Sequence, residues 1–298
     1  MSRPSMKVAV NPLPWVLSDA GFQLSRTVLL EALADLRGVG FRALHAQVPD
    51  DMTVDEYRQT LADYGYVPAP GYFSADFADV GSGQEVREQA RHAAEEHLEL
   101  GLSEMFIASA MSTERMTHPA VGYLPDDERL RRFTDGMVAA AEVMQAEGVT
   151  AALHSHVGSW VETEDEVRAV LDWSEGSALA FGPDTGHLFW GGADPARLVQ
   201  EYAARVACVH IKDVDAAAAA TAREQGDDYR IATSVRHVWT EPGRGDVDLD
   251  GVIAGLPDGF DGWAVLEVDV PNLPTRVESA RAGLSYFVAN PAFAAAVP

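Results

Sequence analysis

The sequence predicts an α/β chain folded as one closed barrel, a (β/α)8 fold in which eight parallel strands are each followed by a helix. Three observations point there. Short apolar runs recur along the 298 residues, each followed by a longer stretch of helical periodicity. Many of those stretches stop at a glycine just before the next run, at Gly40, Gly65, Gly101 and Gly148, as a helix does when it must turn at once into a strand. The turn after the first run, Asn11-Pro-Leu-Pro-Trp15, lacks the GxGxxG pattern that would favour an open dinucleotide-binding sheet. Alternating strands and helices make a parallel sheet, because each crossover helix has to cover it.

Taken in order, the strand at Lys7–Val10 is followed by a helix at Ser25–Val39. Phe41–Ala46 and Thr53–Tyr64 form the second pair, Tyr66–Tyr72 and Glu85–Leu100 the third, and Glu104–Ala108 and Glu128–Ala146 the fourth. The fifth strand, Thr150–His154, leads to a helix at Glu164–Trp173, announced by Thr163 and the acidic residues Glu164-Asp165-Glu166. Ala178–Asp184 precedes Pro195–Ala204, whose start is marked by Asp194-Pro195. Val206–Lys212 precedes Leu249–Ala254, and Trp263–Asp269 precedes Pro274–Ala289. The run Ala216–Ala220 reads as loop or short helix. No linker divides the chain, so residues 1–298 read as a single domain with a ragged tail after about residue 290.

Composition narrows the function classes. Hydrophobic residues make up 47% of the chain and charged residues 23%, which excludes a disordered chain. No run approaches the ~18 apolar residues of a membrane helix, and the N-terminus has no secretory pattern. With 22 basic and 46 acidic residues the formal net charge is −24. The only lysines are Lys7 and Lys212. A nucleic-acid partner needs clustered cations, so none is expected, and an anionic membrane surface is disfavoured for the same reason. The single cysteine, Cys208, rules out an internal disulfide and fits a cytoplasmic location; by strand parity it reads as barrel core.

A barrel of this kind carries its active site at the carboxyl ends of its strands, and polar residues gather there. Strand five ends in His154-Ser-His156, strand six in Asp184-Thr-Gly-His187, strand seven in His210-Ile-Lys212-Asp213, and strand eight in Glu267-Val-Asp269. Side chains two apart share a face, so His154 and His156 point one way, as do His210 and Lys212, and Glu267 and Asp269, while Leu153, Val209, Ile211 and Leu266 face the outer helices. Imidazoles and carboxylates converging from four strand ends make a divalent-metal site. Manganese is the first expectation, with cobalt, magnesium, iron and zinc as alternatives.

The strings GPDTGH, VHIKD, EPGRGDVD and GWAVLEVD, in this order, resemble the xylose-isomerase-like sugar isomerase/epimerase TIM barrels. Within them, the stretch from His154 to Asp269 is similar to the inosose (2-keto-myo-inositol) dehydratase branch, as are HSHVGSWVET and the opening NPLPW. The resemblance implies metal ligation by His154, Asp184, His210 and Glu267. In the epimerase branches the first of these positions is a glutamate that is both ligand and base. A histidine there weakens a two-glutamate proton shuttle and favours a dehydratase. Two departures bear on the substrate: strand eight continues Glu267-Val-Asp269-Val-Pro271-Asn272 rather than Glu-Ala-Glu-Gln-Asp-Pro, and strand four ends without a glutamate.

The expected reaction is removal of a proton alpha to a carbonyl and β-elimination of water from a keto-cyclitol or keto-sugar; the alternative is a sugar isomerase or 3-epimerase working through an enediolate. Elimination needs a base, an acid and charge stabilisation at oxygen. Glu267 or His156 is the candidate base and His187 or His156 the candidate acid. Lys212 would stabilise the oxyanion, unless it merely pairs with Asp213, itself read as orienting a neighbour. Trp15 and Trp160 are candidate apolar walls for a sugar ring. Asp269, Arg236 and His237 are candidate substrate contacts, the last two on Val214–Asp248, which is long enough to suggest a lid. His45 is a weaker site candidate, while His92, His97 and His118 read as surface or helix residues. The partner is a small polyol or keto-sugar, with a homo-oligomer possible by analogy.

Overall fold

The computed structural model describes residues 6–18, 21–79 and 83–293. Eight strand positions line the barrel: β1 (Lys7–Val10), β2 (Ala43–His45), β3 (Val67–Ala69 and Tyr72–Ala75), β4 (Glu104–Ser109), β5 (Thr150–Leu153), β6 (Ala180–Phe181), β7 (Cys208–Ile211) and β8 (Trp263–Leu266). All neighbours pair in parallel, in the order β7–β8–β1–β2–β3 on one side and β3–β4–β5–β6 on the other. Parallel bridges at Phe181–Val206 and Asp184–His210 join β6 to β7 and close the ring.

The third strand departs from the single run Tyr66–Tyr72 expected from sequence. It breaks at Pro70-Gly71, its first half pairing with β2 and its second with β4. Pro70 offers no N–H to a ladder, and Gly71 lies so close to β2 that a Cβ there would stand 2.3 Å from the Ala46 carbonyl oxygen. The Gly71 N–H instead donates to His97 Nε2 (3.0 Å), and the opposite nitrogen, Nδ1, lies 3.2 Å from the Ala93 carbonyl. His97 is therefore a buried brace on its helix, not a surface residue.

Around the barrel run α1 (Arg26–Arg37), α2 (Val54–Tyr64), α3 (Gly83–Glu99), α4 (Asp127–Glu147), α5 (Glu164–Trp173), α6 (Pro195–Glu201), α7 (Leu249–Gly255) and α8 (Arg276–Ala289). Their starts follow from the sequence. Side chains of Ser25, Thr53, Asp126, Thr163, Asp194, Asp248 and Thr275 each accept a first-turn N–H, and Thr53 with Glu56 and Thr163 with Glu166 close reciprocal capping boxes.

Strand parity sorts the core into two layers. Ala9, Ala43, Ala69, Phe106, Ala152, Cys208 and Val265 fill the barrel interior. Leu153, Val209, Ile211 and Leu266 pack outward under the helices. Pro291–Phe293 forms a 3-10 turn with Phe293 buried against Phe287 (ring centroids 4.6 Å), so the chain stays packed past residue 290; residues 294–298 lie outside the described ones.

The long connection between β7 and α7 is ordered. Asp213–Val214 pairs antiparallel with Trp239–Thr240, and helices Ala216–Gln225 and Tyr229–Ser234 fill the span between them. Asp213 fastens it: its carboxylate accepts the backbone N–H groups of Val214, Gly243, Gly245 and Val247 at 2.9–3.1 Å.

Candidate active site

The carboxyl ends of β5 to β8 bring His154, Asp184, His210 and Glu267 together, all buried. Asp184 is also the N-cap of helix Thr185–Trp190: its Oδ1 accepts the His187 N–H at 2.8 Å, which aims Oδ2 inward. His210 Nδ1 stands 3.5 Å from Asp184 Oδ2 and 3.3 Å from Glu267 Oε2. One ligand atom from each of His154, Asp184 and His210 lies within 4.8 Å of the others. His154 Nδ1, Asp184 Oδ2 and both ring nitrogens of His210 are buried without a hydrogen-bond partner. Each such atom costs about 1–3 kcal/mol unless something satisfies it. A single divalent cation would satisfy lone pairs on all these residues, and two imidazoles with two carboxylates form a donor set such ions accept. The residues fit a metal.

Electrostatics set their protonation. Burial, then the neighbouring His210, push His154 well below the usual imidazole range, which leaves its lone pair free at neutral pH. Burial would raise Asp184, but the Lys212 charge and the adjacent His210 ring outweigh it and hold the carboxyl at about 2. Glu267 is likewise held well down against burial by Lys212 and His210. Asn11, at the end of β1, donates its side-chain amide to Glu267 Oε2.

Lys212 sits beside these residues, fully buried. Its Nζ donates to Glu267 Oε1 at 2.7 Å, lies 2.7 Å from Asp269 Oδ1 and 3.5 Å from Asp184 Oδ2. Burial alone would lower its pKa; the charges of Asp184, Asp269 and Glu267 raise it well above the ordinary lysine value. Asp213 takes no part in this. It is spent on the backbone of the long connection, so the ion pair Lys212–Asp213 considered from sequence does not form.

Two histidines complete the mouth. The Val157 N–H donates to His187 Nδ1 (3.1 Å), and His187 Nε2 lies 3.0 Å from Lys212 Nζ. His156 Nδ1 lies 2.7 Å from the Val157 carbonyl, which can only accept, so Nε2 of the neutral ring keeps a free lone pair. Burial and then Lys212 lower His156 to about 4. The two ring centroids lie 3.7 Å apart with the planes tilted by 35°. Asp269 accepts the Tyr229 hydroxyl at 3.1 Å and is pushed up to about 6, by burial against the opposing pull of Lys212.

Four residues singled out from sequence point elsewhere. Trp15 ends up in the helical turn Leu13–Val16 with its ring turned outward: Nε1 donates to Asp35 of α1 (2.9 Å) and Arg276 of α8 lies over the ring. Trp160 is stacked by Arg129, 3.6 Å from the ring centroid, and by Arg115. Arg236 donates to Asp227 (2.6 Å), and His237, at φ of 57°, is exposed. In their place the mouth gains Tyr229, Trp190 and Trp239, linked ring to ring at 5.1–5.2 Å, with Trp239 also 4.7 Å from Lys212 Nζ. Tyr72 adds an edge contact to His154 (5.1 Å), and His45 lies behind the cluster, 5.3 Å from the His210 ring. Asn11 was foreshadowed by its place at a strand end. Tyr229 and Trp239 carried no comparable signal, since they sit on a connection whose path is set by Asp213.

A family model described as xylose isomerase-like TIM barrel matches residues 30–289. The chain belongs to the xylose isomerase-like TIM barrel family. Among its relatives in that family, the inosose dehydratase of Geobacillus kaustophilus is 26% identical over 277 residues, covering 88% of this chain and 87% of that protein. The rhizopine catabolism protein MocC of Rhizobium meliloti is also 26% identical, over 89% and 82% of the two chains. Among solved structures of the same fold are the IOLI protein with a bound zinc atom (TM-score 0.68, 17% identity, 95% and 97% coverage) and a D-allulose 3-epimerase from Methylomonas sp. (TM-score 0.65, 17% identity, 96% and 98% coverage). Among the described residues of this xylose isomerase-like barrel, no helix is long and apolar enough to cross a membrane.

Proposed function

We propose that this protein is a divalent-metal-dependent hydro-lyase that dehydrates a keto-cyclitol or a closely related keto-sugar. The observation that carries the reading is the convergence of buried, unpartnered donor atoms of His154, Asp184 and His210 beside Glu267 and the Lys212 ammonium. The likeness to inosose dehydratases along most of the chain supports the substrate class, and the zinc atom of the IOLI protein supports a metal on this scaffold. His154, Asp184, His210 and Glu267 would hold the ion, manganese or another borderline dication. Such an ion supplies Lewis acidity toward a substrate carbonyl or hydroxyl oxygen.

The remaining chemistry falls to the chain's own groups. In the elimination the C–H bond alpha to the carbonyl breaks, its electron pair forms the carbon–carbon double bond, and the β C–O bond releases hydroxide, which leaves as water. The free lone pair of His156 Nε2 or the Glu267 carboxylate receives the α-proton. His187, held by the Val157 N–H at Nδ1, serves as the acid that protonates the departing hydroxyl. Lys212 donates to the oxygen on which charge accumulates. Tyr229 orients Asp269 for a substrate hydroxyl, and the Trp190–Trp239–Tyr229 rings exclude water from that side.

The test is metal-loaded protein incubated with 2-keto-inositol and a ketose panel, followed by absorbance of the conjugated product. Glu267→Gln is expected to lower turnover by ~10²–10⁴ if the residue is the base, with metal retained; loss of metal as well would assign it to ligation. No absorbance change with any member of the panel would refute the lyase. Solvent deuterium entering an epimer without loss of water would make the protein an isomerase or epimerase.

A further inference from the structure

Beside the His154–Asp184–His210 group, two further sets of three ligand atoms each come within 4.8 Å of one another: Asp184, His187 and Glu267, and His156, His187 and Asp269. One group stands against members of both. Lys212 Nζ is 2.7 Å from Glu267 Oε1, 2.7 Å from Asp269 Oδ1, 3.0 Å from His187 Nε2 and 3.5 Å from Asp184 Oδ2. Its stem is fixed there. Thr185 Oγ1 donates to the Lys212 carbonyl and accepts its N–H. The stem rests on Gly186, where a Cβ would come within 2.7 Å of Lys212 Cγ. The Trp239 ring closes the other side.

We propose that the Lys212 ammonium occupies a second cation position in this centre and so limits the protein to one dication per chain. The proposal rests on the metal reading above and adds to it the reason for a single ion. Three carboxylates, Asp184, Glu267 and Asp269, are balanced by one dication and one tethered monocation. A second dication at the same place would meet the ammonium at contact distance, where like charges repel strongly in a dry site. Removing the ammonium leaves a carboxylate-rich pocket with an imidazole and an uncompensated negative charge, which attracts a second dication.

The test counts metal. Parent protein and Lys212→Met, which keeps most of the stem and removes the charged end, are equilibrated with excess Mn²⁺, desalted and analysed for metal per chain; circular dichroism checks the fold and electron paramagnetic resonance detects coupled Mn²⁺ pairs. The parent is expected to hold one ion and Lys212→Met two, with a coupled signal that Lys212→Met combined with His187→Ala abolishes. Lys212→Ala serves if the methionine variant does not fold. A folded variant that still holds one ion overturns the proposal while leaving the metal reading intact. A parent that holds none overturns both. A second equivalent taken up by the parent itself in millimolar Mn²⁺, measured by titration calorimetry without any variant, also overturns it.

Discussion

Glu162 ties the connection after β4 to the connection after β5, and its loss tests how the site is braced. Its side chain is fully buried. Oε1 accepts from Arg115 Nη1 and the Gly122 N–H, both at 2.9 Å, and Oε2 from the N–H groups of Ala120 (3.0 Å) and Gly158 (2.9 Å). Glu162→Ala strands these three backbone donors and removes one partner of a buried guanidinium. Breaking a buried pair costs about 3–5 kcal/mol. Arg115 keeps Glu166 at 2.7 Å, which moderates the loss, while orphaned N–H groups cost about 1–3 kcal/mol each unless water enters the vacated space. We expect about 4 kcal/mol. At about 2.1 cal/mol/K per residue, unfolding this chain carries roughly 0.6 kcal/mol/K of entropy, so Tm should fall by about 6 °C. Glu162→Gln keeps the shape and one acceptor oxygen, and should cost about half as much. Turnover should fall with Glu162→Ala, because Gly158 follows His156 by two residues and loses its anchor. A calorimetric Tm within about 2 °C of the parent would refute the bracing argument.

Acid should destabilise the metal-free protein. Burial lowers His45 to about 3 and His97 and His156 to about 4, and pushes His154 and His187 well down. Between the unfolded value of 6.5 and these folded values only the unfolded chain binds the protons. Each histidine therefore removes up to about 1.4 kcal/mol per pH unit as pH falls below 6.5. Asp269, raised to about 6, works the other way over part of that range but offsets only one of the five. A thermal melt should drop steeply from pH 7 to pH 5, and a flat profile would contradict the buried neutral histidines. Gly186→Ala should act on the site through a single methyl: its Cβ would press on Lys212 Cγ, Cβ and Cδ at 2.7–2.9 Å. Overpacking of this kind costs about 1–3 kcal/mol. The shifted ammonium should lower turnover about tenfold, since tenfold corresponds to about 1.4 kcal/mol of transition-state stabilisation. Parental turnover in the folded variant would count against a role for Lys212.

Local signals in the sequence were sufficient for the barrel and for the clustering of the candidate site residues. Strand–helix alternation, capping residues and helix-ending glycines act over a few residues, so they can be read before the chain is closed. Strand parity then put His154, His210, Lys212 and Glu267 on one side and Leu153, Val209 and Leu266 on the other, because alternation of side chains is a property of a single strand. Asp184 and His187 could be read in the same way, three residues apart at the end of one strand and the start of one short helix.

What tertiary structure decided were the directions of residues on connections. Trp15 had the right position in sequence but turns outward, because Asp35 and Arg276, far along the chain, offer its ring better partners. Arg236 and His237 lie on the correct segment, yet Asp213 gathers four N–H groups of that segment and fixes a path that delivers Tyr229 and Trp239 instead. His97 became a brace only because Pro70-Gly71 interrupts a strand that pairs with two neighbours. Periodicity reports which face of an element is buried; which distant group a loop side chain meets depends on ring closure, and no local pattern encodes that.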